Sequence, residues 1–203
     1  MPTLEIENTI WDMGHKYIAC CDEVGRGCLF GAVLAAAVIM PKGLIIDGVK
    51  DSKKLSPKKR EQLYEIIKEK SIAIGVGTVS AEIIDKINIK NATRLAMKKA
   101  VLSIKDKDEN NISPDYILID AEEIDLPIPQ MGIIKGDDVS HGIAVSSIVA
   151  KVLRDRLCQR WDMEYPNYDI KQNKGYGTKA HREALKKYGV SPMHRKSFLT
   201  KIL

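Results

Sequence analysis

Two apolar, β-branched-rich runs, Tyr17 to Val24 and Leu29 to Ile39, stand on either side of Gly25-Arg26-Gly27. Runs of this length, punctuated by glycine, read as two strands with a turn between them. A chain that opens this way must build a sheet around them, and later segments supply the rest. Ser56-Pro57 starts a helix, Ser as N-cap and Pro at the first helical position, with Leu63, Ile66 and Ile67 on one face to about Lys70. Ile72 to Val79 reads as a third strand ending at Ser80, which can cap a short helix through Ile87. Asn91 to Ile104 predicts a further helix, and Lys105 to Pro114 a polar loop. Tyr116 to Asp120 is a short strand running into an acidic turn, and Met131 to Ile134 a candidate strand. His141 to Trp161 has the strongest helical pattern: Val145, Ile148, Val149, Val152, Leu153, Leu157 and Trp161 make one stripe, with Ser147, Lys151 and Arg154 on a different side. Thr178 to Tyr188 predicts a shorter helix ended by Gly189. A meander of strands followed by strand–helix alternation predicts one α/β domain with a mixed sheet.

Hydrophobic residues make up 44% of the chain and charged residues 29%, ordinary for a globule with a real core. No run approaches the roughly 18 apolar residues of a membrane span. Met1 to Ile10 holds two glutamates and no apolar h-region, so no secretory signal is expected. Cys20, Cys21, Cys28 and Cys158 lack disulfide or zinc spacing, which suits a reducing cytoplasm. The net charge of +5 is uninformative until it is divided. From Lys171 to Leu203 nine Lys/Arg face one acid, Glu183, giving +8, so the first 170 residues carry −3. A second basic cluster comprises Lys50, Lys53, Lys54, Lys58, Lys59 and Arg60. This distribution fits a polyanion partner or two solvated lysine-rich faces.

Several motifs fail on context. Gly25-Arg26-Gly27 has Phe30 where a dinucleotide fingerprint needs its third glycine, and it leads into a strand. Gly43 to Lys50 lacks the Gly-Lys-Ser/Thr ending of a phosphate loop. Asp106, Asp108 and Asn110 begin like a calcium loop, but Asn111 and Ile117 occupy its glycine and glutamate positions. Cys20 and Cys21 are neighbours in a strand and point to opposite faces. The histidines at 15, 141, 181 and 194 have no zincin or triad spacing. The carboxylates are left. Asp22-Glu23 and Asp120 end apolar strands, at the edge where open α/β sheets bind ligands. Asp137 precedes the long helix. Each has a simpler reading: Asp137 or Asp138 as a helix N-cap, Asp120 as a turn starter, Asp22-Glu23 as a solvated strand end. Together with the basic clusters they point to hard divalent cations and phosphoryl transfer.

Ordered motifs then carry a resemblance. Asp22-Glu23-Val24-Gly25-Arg26-Gly27 is similar to the DEAGRG signature of ribonuclease HII. Asp51-Ser52-Lys53-Lys54-Leu55-Ser56 and Lys135-Gly136-Asp137 resemble that family's next motifs, and Ser147-Ile148-Val149-Ala150-Lys151-Val152 with Arg154-Asp155 its long helix. Gly175-Tyr176-Gly177-Thr178 and His194-Arg195-Lys196-Ser197-Phe198 resemble its bacterial-type C-terminal motifs. The matches run from Asp22 to Phe198. Departures are Val24 for Ala, Cys28 for Pro, Ala121-Glu122 where Gly is usual, and Ser146 for Ala; none removes a carboxylate.

The resemblance implies an RNase H-like fold, a mixed central sheet flanked by helices. Residues 1–170 would be the catalytic part and 171–203 a basic, helical segment packed on the same domain. It implies endonucleolytic cleavage of the RNA strand of RNA/DNA hybrids and 5′ of ribonucleotides embedded in duplex DNA. Asp22, Glu23, Asp120 and Asp137 would hold two Mg²⁺ or Mn²⁺ ions for hydrolysis to 5′-phosphate and 3′-hydroxyl ends. Gly25-Arg26-Gly27 would approach the ribose 2′-OH through its backbone, Tyr176 would stand at the RNA-to-DNA junction, and Lys53, Ser147 and Lys151 would contact phosphate or organise the site. A cytoplasmic monomer is expected. The missing N-terminal extension argues against ribonuclease HIII, and no C-terminal segment for partner recruitment is expected. The rival readings are a non-catalytic hybrid binder, disfavoured by the four acids, and a junction resolvase, disfavoured by the glycine turn.

Overall fold

The strand that ends in Asp22-Glu23 lies at the centre of a five-stranded sheet. In the computed structural model, which describes residues 1–200 and 202, β1 (Ile18–Val24) pairs antiparallel with β2 (Val33–Ile39), and β2 with β3 (Ala73–Val79). β4 (Tyr116–Asp120) lies parallel to β1 on its other side, and β5 (Gln130–Ile133) parallel to β4, giving the order β3-β2-β1-β4-β5. The helices are α1 (Glu5–Asp12), α2 (Pro57–Lys70), α3 (Ala81–Leu102), α4 (Gly136–Val139), α5 (His141–Glu164), α6 (Ile170–Asn173), α7 (Lys179–Tyr188) and α8 (Lys196–Leu199).

Every residue of β2 is buried, because both faces of the sheet are covered. Ala35, Ala37 and Ile39 face Ala96, Met97 and Ala100 of α3. Leu34, Ala36 and Val38 face Val145, Ile148 and Val149 of α5 together with Leu63 and Ile67 of α2. The run of three alanines lets helices approach both sides of the strand closely. Cys20 and Cys21 do point to opposite faces, one into the cluster under α1, the other against α3, and all four cysteines are buried and free. No helix among the described residues is long and apolar enough to cross a membrane.

Local signals place most elements. Ser56, Ser80 and Thr178 cap α2, α3 and α7 by accepting the amides of Lys59, Ile83 and His181. The two helices expected between Ser80 and Ile104 are one element broken at Asn88, whose φ of 65° stops the first half and whose side chain accepts the Asn91 amide at 3.1 Å. The boundary that differs most is the start of β2. Leu29 to Ala32 is apolar enough to read as strand, yet β2 begins at Val33. The backbone of this stretch bonds to the C-terminal segment instead: Leu29 N–H to Gly175 O, Gly31 N–H to Met193 O, and Arg195 N–H to Leu29 O.

The sequence offers no sign of what α1 does. Glu7 is buried, and its Oε1 accepts the Ser140 hydroxyl at 2.7 Å and the Gly142 amide at 2.8 Å, closing the N-terminus of α5. A carboxylate there satisfies orphan donors and complements the helix dipole. Replacing it by Ala leaves those donors buried and unpaired, so Glu7→Ala should cost about 2 kcal/mol and lower the melting midpoint by about 4–8 °C. An unchanged melting curve would show that Glu7 does not secure this helix.

Candidate active site

Parallel pairing assembles the acids. Cys21 lies opposite Ile119 across β1 and β4, so Asp22 and Asp120, each one residue further on, emerge together at the C-terminal edge of the sheet. Glu23 follows, and one carboxylate oxygen from each of Asp22, Glu23 and Asp120 lies within 4.8 Å of the others. Each acid is oriented by a donor. The Glu23 amide donates to Asp22 Oδ1 at 2.7 Å, the Gly136 amide to Asp120 Oδ1 at 2.6 Å, and Arg26 Nη1 to Glu23 Oε1 at 3.4 Å. Ser147 favours the ionised form of Asp22, and its hydroxyl is 2.9 Å from that of Ser52.

Burial, then repulsion from Glu23 and Asp120, pushes the Asp22 carboxyl well above the usual range. Burial raises Glu23 as well; Arg26 opposes the shift and Asp120 adds to it. Glu23 Oε2 is buried without a hydrogen-bond partner. Three crowded carboxylates with an orphaned oxygen are unfavourable alone. They fit hard divalent cations, which take oxygen ligands and offset that repulsion.

Asp137 stands outside this tight trio. It lies in α4, 7% exposed, with Oδ2 3.6 Å from Lys53 Nζ. Its carboxyl is raised by burial, lowered by Lys53, and raised by Asp51, Asp120 and Asp138, so it belongs to the same electrostatic neighbourhood. Asp138 pairs with Lys54. Neither aspartate caps α5: Ser140 does, accepting the Ile143 amide at 3.1 Å.

The glycine turn lies against this edge. Gly25 has φ +93°, and a Cβ there would overlap Arg154 Nε and lie 2.8 Å from its Cζ. Gly27 has room: a Cβ would meet only Tyr176 Cε1, at 3.8 Å. The Tyr176 ring, 45% exposed, therefore stands beside the turn. Lys53 reaches outward with its side chain mostly solvated. Lys151 does not reach outward. Its Nζ is 2.7 Å from Asp155 Oδ1, and Asp155 also pairs with Arg60, whose Nη1 donates to the carbonyls of Ser52 and Leu55. Of the two contacts expected of Lys151, this network supports the organising one, a brace under the Asp51–Leu55 loop.

Three residues escape sequence reasoning. Arg154 and Arg195 are 1% and 0% exposed and pair with no carboxylate among the described residues. Arg154 donates to the carbonyls of Lys174 (2.8 Å), Phe30 (3.3 Å) and Ala32 (3.4 Å). Arg195 donates to those of Gly31 (2.9 Å) and Arg26 (2.8 Å). Together they clamp the turn from below. The one available signal was that Arg154 falls two helical turns after Ser147, on the same face. Glu122, which stands where Gly is usual, is buried 3.3 Å from Arg26 Nη1 and 2.9 Å from Arg94 Nε, so it shares Arg26 with Glu23.

Comparison with known proteins identifies the family and the fold. The family profile of ribonuclease HII matches residues 19–201. A ribonuclease HII of Alkaliphilus oremlandii is 81% identical over 203 residues, all of both chains, and that of Alkaliphilus metalliredigens 70% identical over the same span. Among solved structures, the ribonuclease H2 of Pyrococcus horikoshii OT3 superposes with a TM-score of 0.75 at 23% identity, covering 92% of this chain and 96% of the other. The RNase HII of Archaeoglobus fulgidus, solved as a complex with PCNA, gives 0.71 at 24% identity over 91% and 96%. The likeness to these two is one of fold, the RNase H-like architecture of a mixed sheet flanked by helices. The chain belongs to the ribonuclease HII family, endonucleases that hydrolyse the RNA strand of RNA/DNA hybrids.

Proposed function

We propose that this endonuclease also cuts 5′ of single ribonucleotides embedded in duplex DNA, leaving 5′-phosphate and 3′-hydroxyl ends. The observation that carries the reading is the position of the Asp22–Glu23–Asp120 trio directly beside Gly25–Gly27 and Tyr176. Asp22, Glu23, Asp120 and Asp137 are the residues that would hold Mg²⁺ or Mn²⁺. Bound there, a pair of such ions would supply an activated water and neutralise charge on the leaving 3′ oxygen. The protein's own part is orientation. The Glu23 and Gly136 amides fix one oxygen each of Asp22 and Asp120, leaving the other free. Ser147 steadies Asp22, and Lys53, solvated at the rim, can meet a phosphate.

Substrate choice would fall to the turn. Discrimination of RNA from DNA must use the 2′-OH, and a backbone bare of Cβ atoms at Gly25 and Gly27 can approach it. Arg26 contributes through its main chain, since its side chain is taken by Glu23 and Glu122. We assign residues 171–203 to the same domain as 1–170; the bonds from Leu29, Gly31 and Arg195 across that boundary support it.

Incubating a duplex that contains one ribonucleotide with Mg²⁺ or Mn²⁺, and mapping the product ends, tests the reading. Cuts 5′ of the ribonucleotide with 3′-hydroxyl termini are expected. Binding without cleavage, or equal cleavage of an all-DNA junction, would refute it. Tyr176→Ala should reduce kcat/KM at a single ribonucleotide about tenfold more than on a long hybrid, as loss of one stacking contact implies. Equal losses on both substrates would remove Tyr176 from junction reading.

A further inference from the structure

His181 and His194 have no place in the chemistry above, yet they form a buried pair directly behind Tyr176. Their Nε2 atoms are 3.1 Å apart. His181 is 0% and His194 1% exposed, with Phe30 and Tyr168 packed edge-on against His194 at 4.8 and 4.7 Å between ring centres. The outer nitrogens are also engaged. His194 Nδ1 is 3.0 Å from the Ser191 amide and 2.8 Å from the Ser191 hydroxyl. His181 Nδ1 is 2.9 Å from the carbonyl oxygen of Tyr176.

These partners determine every proton. An amide can only donate, so His194 Nδ1 must be bare. A carbonyl can only accept, so His181 Nδ1 must carry its hydrogen. With both rings neutral, His194 then bears its proton on Nε2 and donates it to the bare Nε2 of His181. The bonds run in one direction, from the Ser191 amide through both rings to the Tyr176 carbonyl. Burial lowers the basicity of both rings, and with His181 beside it His194 is pushed down to about 4. Both rings are therefore neutral at pH 7.

Two backbone bonds also hold the receiving residue. The Tyr176 amide donates to Asn173 O at 2.9 Å and its carbonyl also accepts the Thr178 amide at 2.8 Å, within a short loop between α6 and α7. Fixing that carbonyl fixes the direction in which the ring leaves the backbone, beside Gly27.

We propose that His181 and His194 are positioning residues for substrate choice: a tautomer-locked pair that holds the Tyr176 main chain so its ring stands at the ribonucleotide junction. This rests on the junction-reading role of Tyr176. A long hybrid presents many 2′-hydroxyls and can engage the site in several registers. An isolated ribonucleotide presents one, so misplacement of a single reading group weighs more heavily on it.

Two measurements test the pair. Histidine nitrogen NMR on the isotope-labelled, unmodified protein should show His194 protonated at Nε2 and His181 at Nδ1, with both rings neutral at pH 7. The opposite tautomers, or a charged ring at neutral pH, would overturn the relay whatever Tyr176 does. The second measurement compares kcat/KM on a single-ribonucleotide duplex and on a long hybrid. His181→Leu should lower the ratio of the two about tenfold. His181→Asn, whose amide can still donate to the Tyr176 carbonyl, should retain most of it. In a Tyr176→Ala background His181→Leu should leave the ratio unmoved. Equal loss on both substrates would reduce the pair to a structural role and overturn the proposal. If Tyr176→Ala alone leaves the ratio unchanged, the Tyr176 reading fails and the role in substrate choice fails with it, while the tautomer result still reports separately on the relay.

Discussion

Asp22→Asn is expected to abolish useful turnover, lowering kcat about a thousandfold or more at saturating divalent ion, while making the metal-free protein more stable. Both effects have one cause. Asp22 is buried among carboxylates, and its acid form is favoured by burial first and by Glu23 and Asp120 next. The amide has the carboxylate's size and its Oδ1 can still accept the Glu23 amide, so the fold is preserved. What is lost is one negative charge from the trio. The sign of the stability effect follows from linkage. A carboxyl raised in the folded state contributes stability that is present below its unfolded value, about pH 4, and is lost as pH rises through the folded value. Near neutral pH with a chelator, the wild-type protein has lost that contribution and the variant never depended on it. The variant should then melt about 3–6 °C higher, a shift that ~1–2 kcal/mol produces in a chain of this size. The difference should vanish towards pH 4, and added divalent ion should reverse the order by stabilising only the intact site. Near-normal turnover by the variant, or a lower melting point in chelator, would mean that Asp22 is not part of a charge-strained metal site.

Half of this site was readable from local sequence and half was not, for a physical reason. A carboxylate at the end of an apolar run is unfavourable unless something receives it, so Asp22, Glu23 and Asp120 marked themselves. Their convergence depends on β1 and β4 being parallel neighbours with Cys21 opposite Ile119, a pairing across almost a hundred residues that no local pattern encodes. Helices with capping residues were equally plain, because Ser56, Ser80 and Thr178 act within one turn. Glu7 caps a helix that begins over 130 residues later, and its local context says nothing of it. Leu29 to Ala32 misled because apolar composition reports burial, not hydrogen-bond partners, and here the partners come from residues 175 to 195. Arg154 and Arg195 were opaque for the complementary reason. Buried arginines are rare enough that a charged side chain reads as surface, and these two donate to main-chain carbonyls, which carry no sequence signal.

The clamp those arginines form yields the second large expectation, a contrast between the two glycines of one turn. Gly25→Ala should destabilise the protein by about 2–4 kcal/mol and reduce cleavage about a hundredfold or more, whereas Gly27→Ala should leave the melting point nearly unchanged. At Gly25 the backbone is at φ +93°, where any side chain is strained, and the new Cβ would overlap the Arg154 guanidinium. That guanidinium cannot swing aside cheaply. It is 1% exposed, and moving it would strand the carbonyls of Phe30, Ala32 and Lys174. At Gly27 the φ is ordinary and the nearest atom, Tyr176 Cε1, is at normal contact distance. Folding therefore has no need of a glycine at 27. If the turn meets the ribose through its main chain, catalysis does: a methyl group there intrudes on the approach, and Gly27→Ala should lose activity on both substrates without losing stability. Full activity in Gly27→Ala would remove the case for backbone contact with the 2′-hydroxyl. A wild-type melting curve for Gly25→Ala would mean that Arg154 yields, and that the turn is held by something other than the two buried arginines.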